Sequence, residues 1–433
     1  MPRLLIIAFL FSLNHFGVSA TLLIKTAESG LGKRADGRSA AGIAVVDQVL
    51  KAHGAVSVKA ALVPLARMTP ESAELSRWFL CEFSDQNALA AAQQALQTSD
   101  AVVEAQPNRA FRLHFTPNDP LFEQQYALKK ISAPQAWEIE RGSTEVLVAV
   151  IDTGIDDNHP DLIANMWRND RETLNGLDDD GNGFIDDVRG WDFTDAPNYP
   201  DGGDYLERDN DPMDEHGHGT AVAGIIAAAT DNGLGIAGLA HGCRVMNVRA
   251  FTSSGYGEED DVASALLYAV DNGAQVVNMS FGDIFVSRIL EDVVRYAYAR
   301  GLVMVASAGN SASEEVHYPS GFAETISVGA CDEDDRLSSF SNFGATSDLV
   351  APGSAILSTA LRSDYQRWNG TSFSAPLVAG AAALVWSQRR GRSADAVRAV
   401  LVNSADDLGD VGWDDRSGAG RLNVMRALTL RDQ

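Results

Sequence analysis

Three short stretches of this 433-residue chain carry residue types that can make and break an acyl bond. One runs Gly370-Thr371-Ser372-Phe373-Ser374-Ala375-Pro376 and continues into the small-residue run Leu377 to Val385. Gly370 permits a close turn. Ser372 then stands at the opening of a helix, where its hydroxyl and backbone N–H meet the positive end of the helix dipole. That place suits attack on a carbonyl and retention of the resulting oxyanion. A serine hydroxyl is a weak nucleophile unless a base takes its proton and an acid orients that base. Val148-Ala149-Val150-Ile151-Asp152-Thr153-Gly154 offers an acid at the end of a buried strand, and His216-Gly217-His218-Gly219-Thr220 offers a histidine at the start of a second small-residue helix. Singly, each stretch has a plainer reading as a turn, a cap or a surface group. The chemical reading rests on their joint occurrence.

The elements that must hold these residues follow from hydrophobic patterning. Apolar strand-like runs occur at 146–151, 245–249, 276–280, 302–306 and 325–329. Helix-like runs lie between them, such as Ala263 to Val270 and Ile289 to Tyr298. Continuous apolar strands alternating with helices predict an α/β fold with a parallel sheet covered on both faces. In such sheets the reactive groups gather at the carboxyl ends of strands. Asp152 follows one strand, and Asn310 closely follows another.

Asp152-Thr153-Gly154-Ile155-Asp156, His218-Gly219-Thr220-Ala221-Val222-Ala223-Gly224 and Gly370 to Pro376 resemble, in that order, the three catalytic blocks of the subtilisin-like serine proteases. The order Asp, His, Ser is the one this family uses. The resemblance spans about Leu121 to Leu428. It implies Ser372 as nucleophile, His218 as general base and Asp152 as orienting acid, in a peptidase working through an acyl-enzyme. His216 is the near neighbour without a chemical role, because the family block begins at His218. Ala306-Ser307-Ala308-Gly309-Asn310 resembles the oxyanion-hole segment, with Asn310 as side-chain donor. The implied fold has three layers around a mostly parallel sheet.

Val276 to Gly282 resembles the family strand that pairs with extended substrate. The resemblance makes Ser280, Phe281 and Gly282 one wall of the pocket for the residue before the cut, and Ala308 and Gly309 the other. His317, in Val316-His317-Tyr318-Pro319, resembles the pocket floor, which it narrows or makes polar unless it points to solvent. Pairing through the substrate backbone makes little sequence demand, so broad endopeptidase specificity is the default. The alternative is an inactive binding protein that keeps the fold. No member of the set is missing, which argues against it. The absence of a G-x-S-x-G elbow argues against a lipase or esterase.

The net charge is -25 and uneven: residues 1–115 carry 11 Lys and Arg against 9 Asp and Glu, leaving 23 against 50 in the rest. An acidic body argues against nucleic acid or an anionic membrane as partner. From Asp178 to Glu215 there are 14 acids and only Arg189 and Arg208 as bases. Within that segment Asp178, Asp180 and Asn182 recur at every second position. Gly183 supplies a sharp turn, Phe184 a carbonyl, and Asp186 or Asp187 closes the shell. This is the spacing of an EF-hand-like calcium loop without the closing Glu or flanking helices. A structural Ca²⁺ is therefore expected. A solvated acidic surface is the plainer alternative. A second site resembles the family's calcium site, with Asp161 and the loop Thr230 to Ile236, including Asp231 and Asn232.

Residues 1–20 read as a secretory signal, with Arg3, an apolar run from Leu4 to Leu13, and a Val18-Ser19-Ala20 cleavage site. Ten apolar residues are too few to span a bilayer. Residues 21–115 predict a strand at Arg77 to Phe83, a helix at Asn87 to Leu96 and a strand at Ala101 to Ala105. They resemble the family's inhibitor-like propeptide, a small α+β ferredoxin-like domain removed on maturation. Residues 116–433 form the expected catalytic domain. The implied protein is a secreted monomer, extracellular or periplasmic. Its partners are protein or peptide substrates and its own propeptide. Cys81, Cys243 and Cys331 do not make a disulfide scaffold. Buried free thiols are the default, and a Cys243–Cys331 bridge is the alternative.

Overall fold

In the computed structural model of the protein, residues 20–28, 32–33, 39–62, 74–109, 115–388 and 393–430 are described. They fall into two units, residues 1–113 and residues 114–433. Of the expected signal only Ala20 is among the described residues.

In the first unit β1 (Ala20–Thr26) begins on Ala20. Then come the two-residue strands β2 (Gly32–Lys33) and β3 (Ser39–Ala40), α1 (Ala44–Ala52), β4 (Ala55–Ala60), β5 (Trp78–Phe83), α2 (Gln86–Gln97) and β6 (Val102–Pro107). The main sheet has the order β4-β5-β1-β6, and each adjacent pair is antiparallel. β1 alternates strictly, with Ala20, Leu22, Ile24 and Thr26 buried. Its Leu22 and Ile24 join Phe79, Cys81 and Phe83 of β5, and Leu89 and Leu96 of α2, in one core. Asp85 starts α2 by accepting a hydrogen bond from the Ala88 N–H. β5, α2 and β6 lie where hydrophobic patterning predicts. β1, α1 and β4 were not anticipated.

The second unit is built on a seven-stranded sheet of order β13-β12-β11-β10-β7-β9-β8, and every adjacent pair is parallel. The strands are β7 (Leu147–Asp152), β8 (Gly190–Asp192), β9 (Arg244–Arg249), β10 (Val276–Met279), β11 (Val303–Ser307), β12 (Thr325–Cys331) and β13 (Leu349–Pro352). β7 shows why the central strands are uninterrupted apolar runs. Leu147, Ala149 and Ile151 point into one core, and Val148 and Val150 into the other. Burial on both faces leaves no position for a polar residue until the strand ends at Asp152.

Helices cover both faces. On one side α4 (Glu259–Asp271) and α5 (Arg288–Ala299) bury Leu266, Tyr268, Leu290 and Val294 against β7, β9, β10 and β11. On the other lie α3 (His218–Ala227), α6 (Ala375–Gln388), α7 (Ala394–Asn403) and α8 (Val424–Thr429). α6 is buried from Ala375 to Val385, so its small apolar residues face packed neighbours all round. α4 begins four residues before the apolar pattern does. Its first turn holds Glu259, Asp260 and Asp261, which favour a helix start through charge and not through apolar spacing. An antiparallel pair, β14 (Ile356–Ala360) and β15 (Asp364–Trp368), leads into the Gly370 turn. β15 is largely exposed, which is why it left no hydrophobic pattern.

Cys81, Cys243 and Cys331 are all buried and free. The Cys243–Cys331 bridge is not formed. Cys243 Sγ instead faces the Ser387 hydroxyl at 3.8 Å. Burial pushes the Cys331 thiol up to about 12, so it carries no thiolate at neutral pH. No helix among the described residues is long and apolar enough to cross a membrane.

Candidate active site

The carboxyl end of β7 and the amino end of α3 meet at Asp152 and His218. Asp152 is 3% exposed; its Oδ1 lies 2.7 Å from His218 Nδ1 and also accepts the Thr153 N–H at 2.8 Å. The other oxygen, Oδ2, is buried and accepts no hydrogen bond. Burial alone pushes the His218 pKa down. The charge and hydrogen bond of Asp152, with the charge of Asp214, outweigh it and hold the net pKa above that of a free imidazole. His216 makes no such contact. Its ring lies 6.2 Å from that of His218.

Gly219 lets the helix come this close. A Cβ there would lie 2.1 Å from the Gly154 carbonyl oxygen and 3.0 Å from Asp152 Cβ. Asp214, which sequence reasoning passed over, ties the helix start. Its carboxylate accepts from the N–H groups of His216, Gly217 and Thr220 and from the hydroxyls of Thr153 and Thr220. Five donors on one buried acid fix His218 relative to Asp152. Its signal in the sequence was only its place four residues before His218.

Ser372 lies in a single 3-10 turn, Thr371–Phe373, directly before α6. Its hydroxyl donates to the Ser280 carbonyl at 3.1 Å, and the Ser280 hydroxyl donates back to the Ser372 carbonyl at 2.8 Å. Asn310 Oδ1 accepts from the Thr371 N–H at 2.8 Å and the Thr371 hydroxyl at 3.0 Å. With its oxygen so engaged, the Asn310 side chain keeps its NH₂ beside the Ser372 turn. Phe373 joins the two halves of the site. Its ring centroid is 5.3 Å from His218 and 5.2 Å from Trp368. Asn310 thus reaches the Ser372 turn through Thr371, and His218 through Phe373. In this structure Ser372 donates to Ser280 and not to His218.

The residues expected to receive substrate also gather here. Ser280, Phe281 and Gly282 continue β10, and Ala308 and Gly309 continue β11. The Gly309 N–H donates to the Thr371 hydroxyl at 3.2 Å. Phe281 packs against Phe251 with ring centroids 4.8 Å apart. His317 is partly buried between the two glycines.

The acidic loop folds on itself. Asp178 accepts from the N–H groups of Gly181, Asn182 and Gly183. Asp178 and Asp180 each bring an oxygen within 4.8 Å of the other and of Glu172. Glu172 was not expected; it reaches in from outside the loop. An all-oxygen set whose one compensating cation among the described residues is Arg171, 3.0 Å from Asp180, fits a hard divalent cation such as Ca²⁺. Asn182 Oδ1 accepts the Phe184 N–H, and the Phe184 ring packs on Trp191, Phe193 and Tyr268. Asp187 stands outside this group of three. Its carboxylate accepts from Tyr268, Asn169 and Asn182.

At the second place Asp161 is fully buried. It accepts from Asn232 Nδ2, the Ile236 N–H and the Tyr365 hydroxyl. Asp119, also unexpected, accepts from the N–H groups of Asp231 and Asn232. Asp231 Oδ1 in turn faces the Asn118 N–H at 3.3 Å. Burial and the nearby charge of Asp161 push the Asp119 pKa up. Two buried carboxylates with only neutral donors among the described residues fit a bound cation.

Residues 143–420 match the profile of the subtilase family, peptidase S8. The chain is 39% identical over 336 residues to the thermophilic serine proteinase of Bacillus sp. strain AK1, covering 77% of this chain and 75% of that one. It is 39% identical over 317 residues to thermitase of Thermoactinomyces vulgaris, covering 72% of this chain and 99% of that one. Among solved structures, a protease of Pseudoalteromonas arctica superposes with a TM-score of 0.62 at 27% identity, over 73% of this chain and 99% of that one. With this fold and these relatives, the chain belongs to the subtilase family and is a subtilisin-like serine endopeptidase.

Proposed function

We propose that the protein is a secreted endopeptidase in which Ser372, His218 and Asp152 act as one catalytic unit. The observation that carries this reading is the 2.7 Å contact of His218 Nδ1 with the buried Asp152 carboxylate, with Ser372 in the turn before α6 and the next residue, Phe373, packed on the His218 ring. On substrate binding the Ser372 hydroxyl turns from the Ser280 carbonyl to His218 Nε2, which takes its proton as Oγ attacks the peptide carbonyl. Asp152 holds the ring in the required tautomer and stabilises the imidazolium. The Asn310 NH₂ and the Ser372 N–H receive the oxyanion. His218 then gives its proton to the leaving amine, and water, activated in the same way, releases the acyl group. Protein and peptide chains are the substrates, and the enzyme works as a monomer.

Residues 1–20 direct export, and residues 21–115 serve as an inhibitor-like propeptide that the enzyme removes itself. The small antiparallel sheet and the two helices named above among the described residues of the first unit support a self-contained inhibitor domain. Calcium, when bound by Glu172, Asp178 and Asp180 and by Asp119 and Asp161, supplies charge compensation that holds these loops.

The test compares wild type with Ser372→Ala for peptide hydrolysis and for the N-terminus of the purified protein. The reading predicts hydrolysis and a mature N-terminus near Thr116 for wild type, and an inert precursor beginning near Thr21 for the variant. Unaided processing of Ser372→Ala would refute self-cleavage, and its retained hydrolysis would refute the nucleophile.

A further inference from the structure

The His218 imidazole is held at one atom, by Asp152 on Nδ1 at 2.7 Å, and its side chain stays partly exposed. A ring held at one nitrogen can still rock about that contact. Phe373 packs beside it. The Phe373 ring is buried, and its centre lies 5.3 Å from that of the imidazole, with the planes 55° apart. The ring thus has a polar hold from Asp152 and an apolar one from Phe373.

Phe373 has its own backing. It stacks on Trp368 with ring centres 5.2 Å apart and planes 30° from parallel. Trp368 ends β15, where it pairs with Ile356 of β14. Its Nε1 is buried and donates no hydrogen bond, so packing and not a polar contact places the indole. The indole also reaches the start of α3. A Cβ built on Gly217, the residue before His218, would lie 3.8 Å from Trp368 Cη2. Phe373 and Trp368 therefore form a wedge between the start of α3 and the Ser372 turn. Phe373 follows Ser372 directly, so the wedge is joined to the serine by backbone and to the histidine by ring contact. The Ser372 hydroxyl is engaged with the Ser280 carbonyl at 3.1 Å, and the wedge joins the two halves of the site while it is so engaged.

We infer that Phe373, backed by Trp368, is a positioning residue for the base: its ring stops the His218 imidazole from swinging away from Ser372 while the serine is turned toward Ser280. The inference rests on Ser372 and His218 acting as nucleophile and base. Misplacing a reacting group by about an ångström costs about 10²-fold in rate.

The test compares wild type with Phe373→Ala, Phe373→Leu, Trp368→Leu and the double variant Phe373→Ala/Trp368→Leu on one peptide, each enzyme counted by titration with a fluorophosphonate. Phe373→Ala should lower kcat by about 10²-fold and leave KM nearly unchanged, because the base acts in the chemical step. Phe373→Leu keeps an apolar body beside the imidazole and should restore part of the loss. The double variant should lose clearly less than the product of the two single losses, since the rings act as one wedge. A cavity by itself lowers the melting temperature and leaves the pH profile alone. A freed ring does more. The charged and titratable groups beside it are Asp152 and Asp214, with His216 at 6.2 Å, and a swinging ring spends less time next to Asp152. The acid limb of kcat/KM in Phe373→Ala should therefore move down toward 6.5. Normal kcat in Phe373→Ala, a loss confined to KM, or an unmoved acid limb would overturn the inference. If Phe373→Ala gives no titratable enzyme, Phe373→Leu and Trp368→Leu decide by the same three readings. Absence of both labelling and hydrolysis in wild type would instead sink the nucleophile assignment, and this inference with it.

Discussion

His218 Nδ1 meets Asp152 Oδ1 at 2.7 Å because Gly219, the residue after the histidine, has no side chain to hold α3 away from the end of β7. The contact joins positions 66 residues apart in sequence. Gly219→Ala should therefore act on two levels. Overpacking against the Gly154 carbonyl should cost about 1–3 kcal/mol of stability. Displacing His218 by about an ångström should lower kcat by about 10²-fold. Thermal melting and turnover check it; a variant with normal turnover would show that the approach of the helix does not set the contact.

In the proposed mechanism His218 takes a proton only when it is neutral. Burial lowers its pKa, but Asp152 and Asp214 raise it further than burial lowers it, so the folded value lies above the ordinary 6.5. Activity should rise with pH through that value. The acid limb of kcat/KM should have its midpoint above 6.5, with His218 protonated and inactive below it. A midpoint at or below 6.5 would mean that burial, not Asp152, governs the ring.

Asn310 is held by its oxygen on Thr371, and the proposed mechanism assigns its amide to the oxyanion. Asn310→Leu should lower kcat by about 10²–10³, a magnitude taken over from subtilisin, with a smaller change in KM. Steady-state kinetics on one peptide decides this. A loss confined to KM would assign Asn310 to ground-state binding.

Much of this site was legible in the chain. Asp152, His218, Asn310 and Ser372 were singled out by the joint, ordered occurrence of their blocks and not by any one position, and Asp152 does end β7 while His218 opens α3. What was not legible depends on contacts made only in three dimensions. Glu172 reaches Asp178 and Asp180 from outside the loop. Asp119 meets Asp161 from a segment read only for its position. Asp214 gathers five donors that no spacing rule connects. The strands of the first unit beyond β5 and β6, and the exposed β15, lacked the apolar continuity that marked the central sheet. His317 could be placed near a pocket from sequence, but its ring between Gly282 and Gly309 depends on where two separate strands end.

Removal of calcium should destabilise the protein. A ligand that binds only the folded state adds RT ln(1 + [L]/Kd), about 2.7 kcal/mol at a hundredfold excess over Kd. Chelation should lower the melting temperature and hasten self-digestion, and Ca²⁺ should restore both better than Mg²⁺. Asp178→Asn/Asp180→Asn should bind fewer ions by calorimetry and lose part of the calcium-dependent stabilisation. A double mutant that matches wild type in ions bound and in melting temperature would make the loop a solvated acidic surface.

The most direct test of the central assignment is covalent labelling by a fluorophosphonate, with the modified residue located by mass spectrometry. The account predicts one label per mature enzyme, on Ser372, none in Ser372→Ala, and strongly slowed labelling in His218→Ala. A label on another serine, or undiminished labelling and peptide hydrolysis in Ser372→Ala, would contradict it.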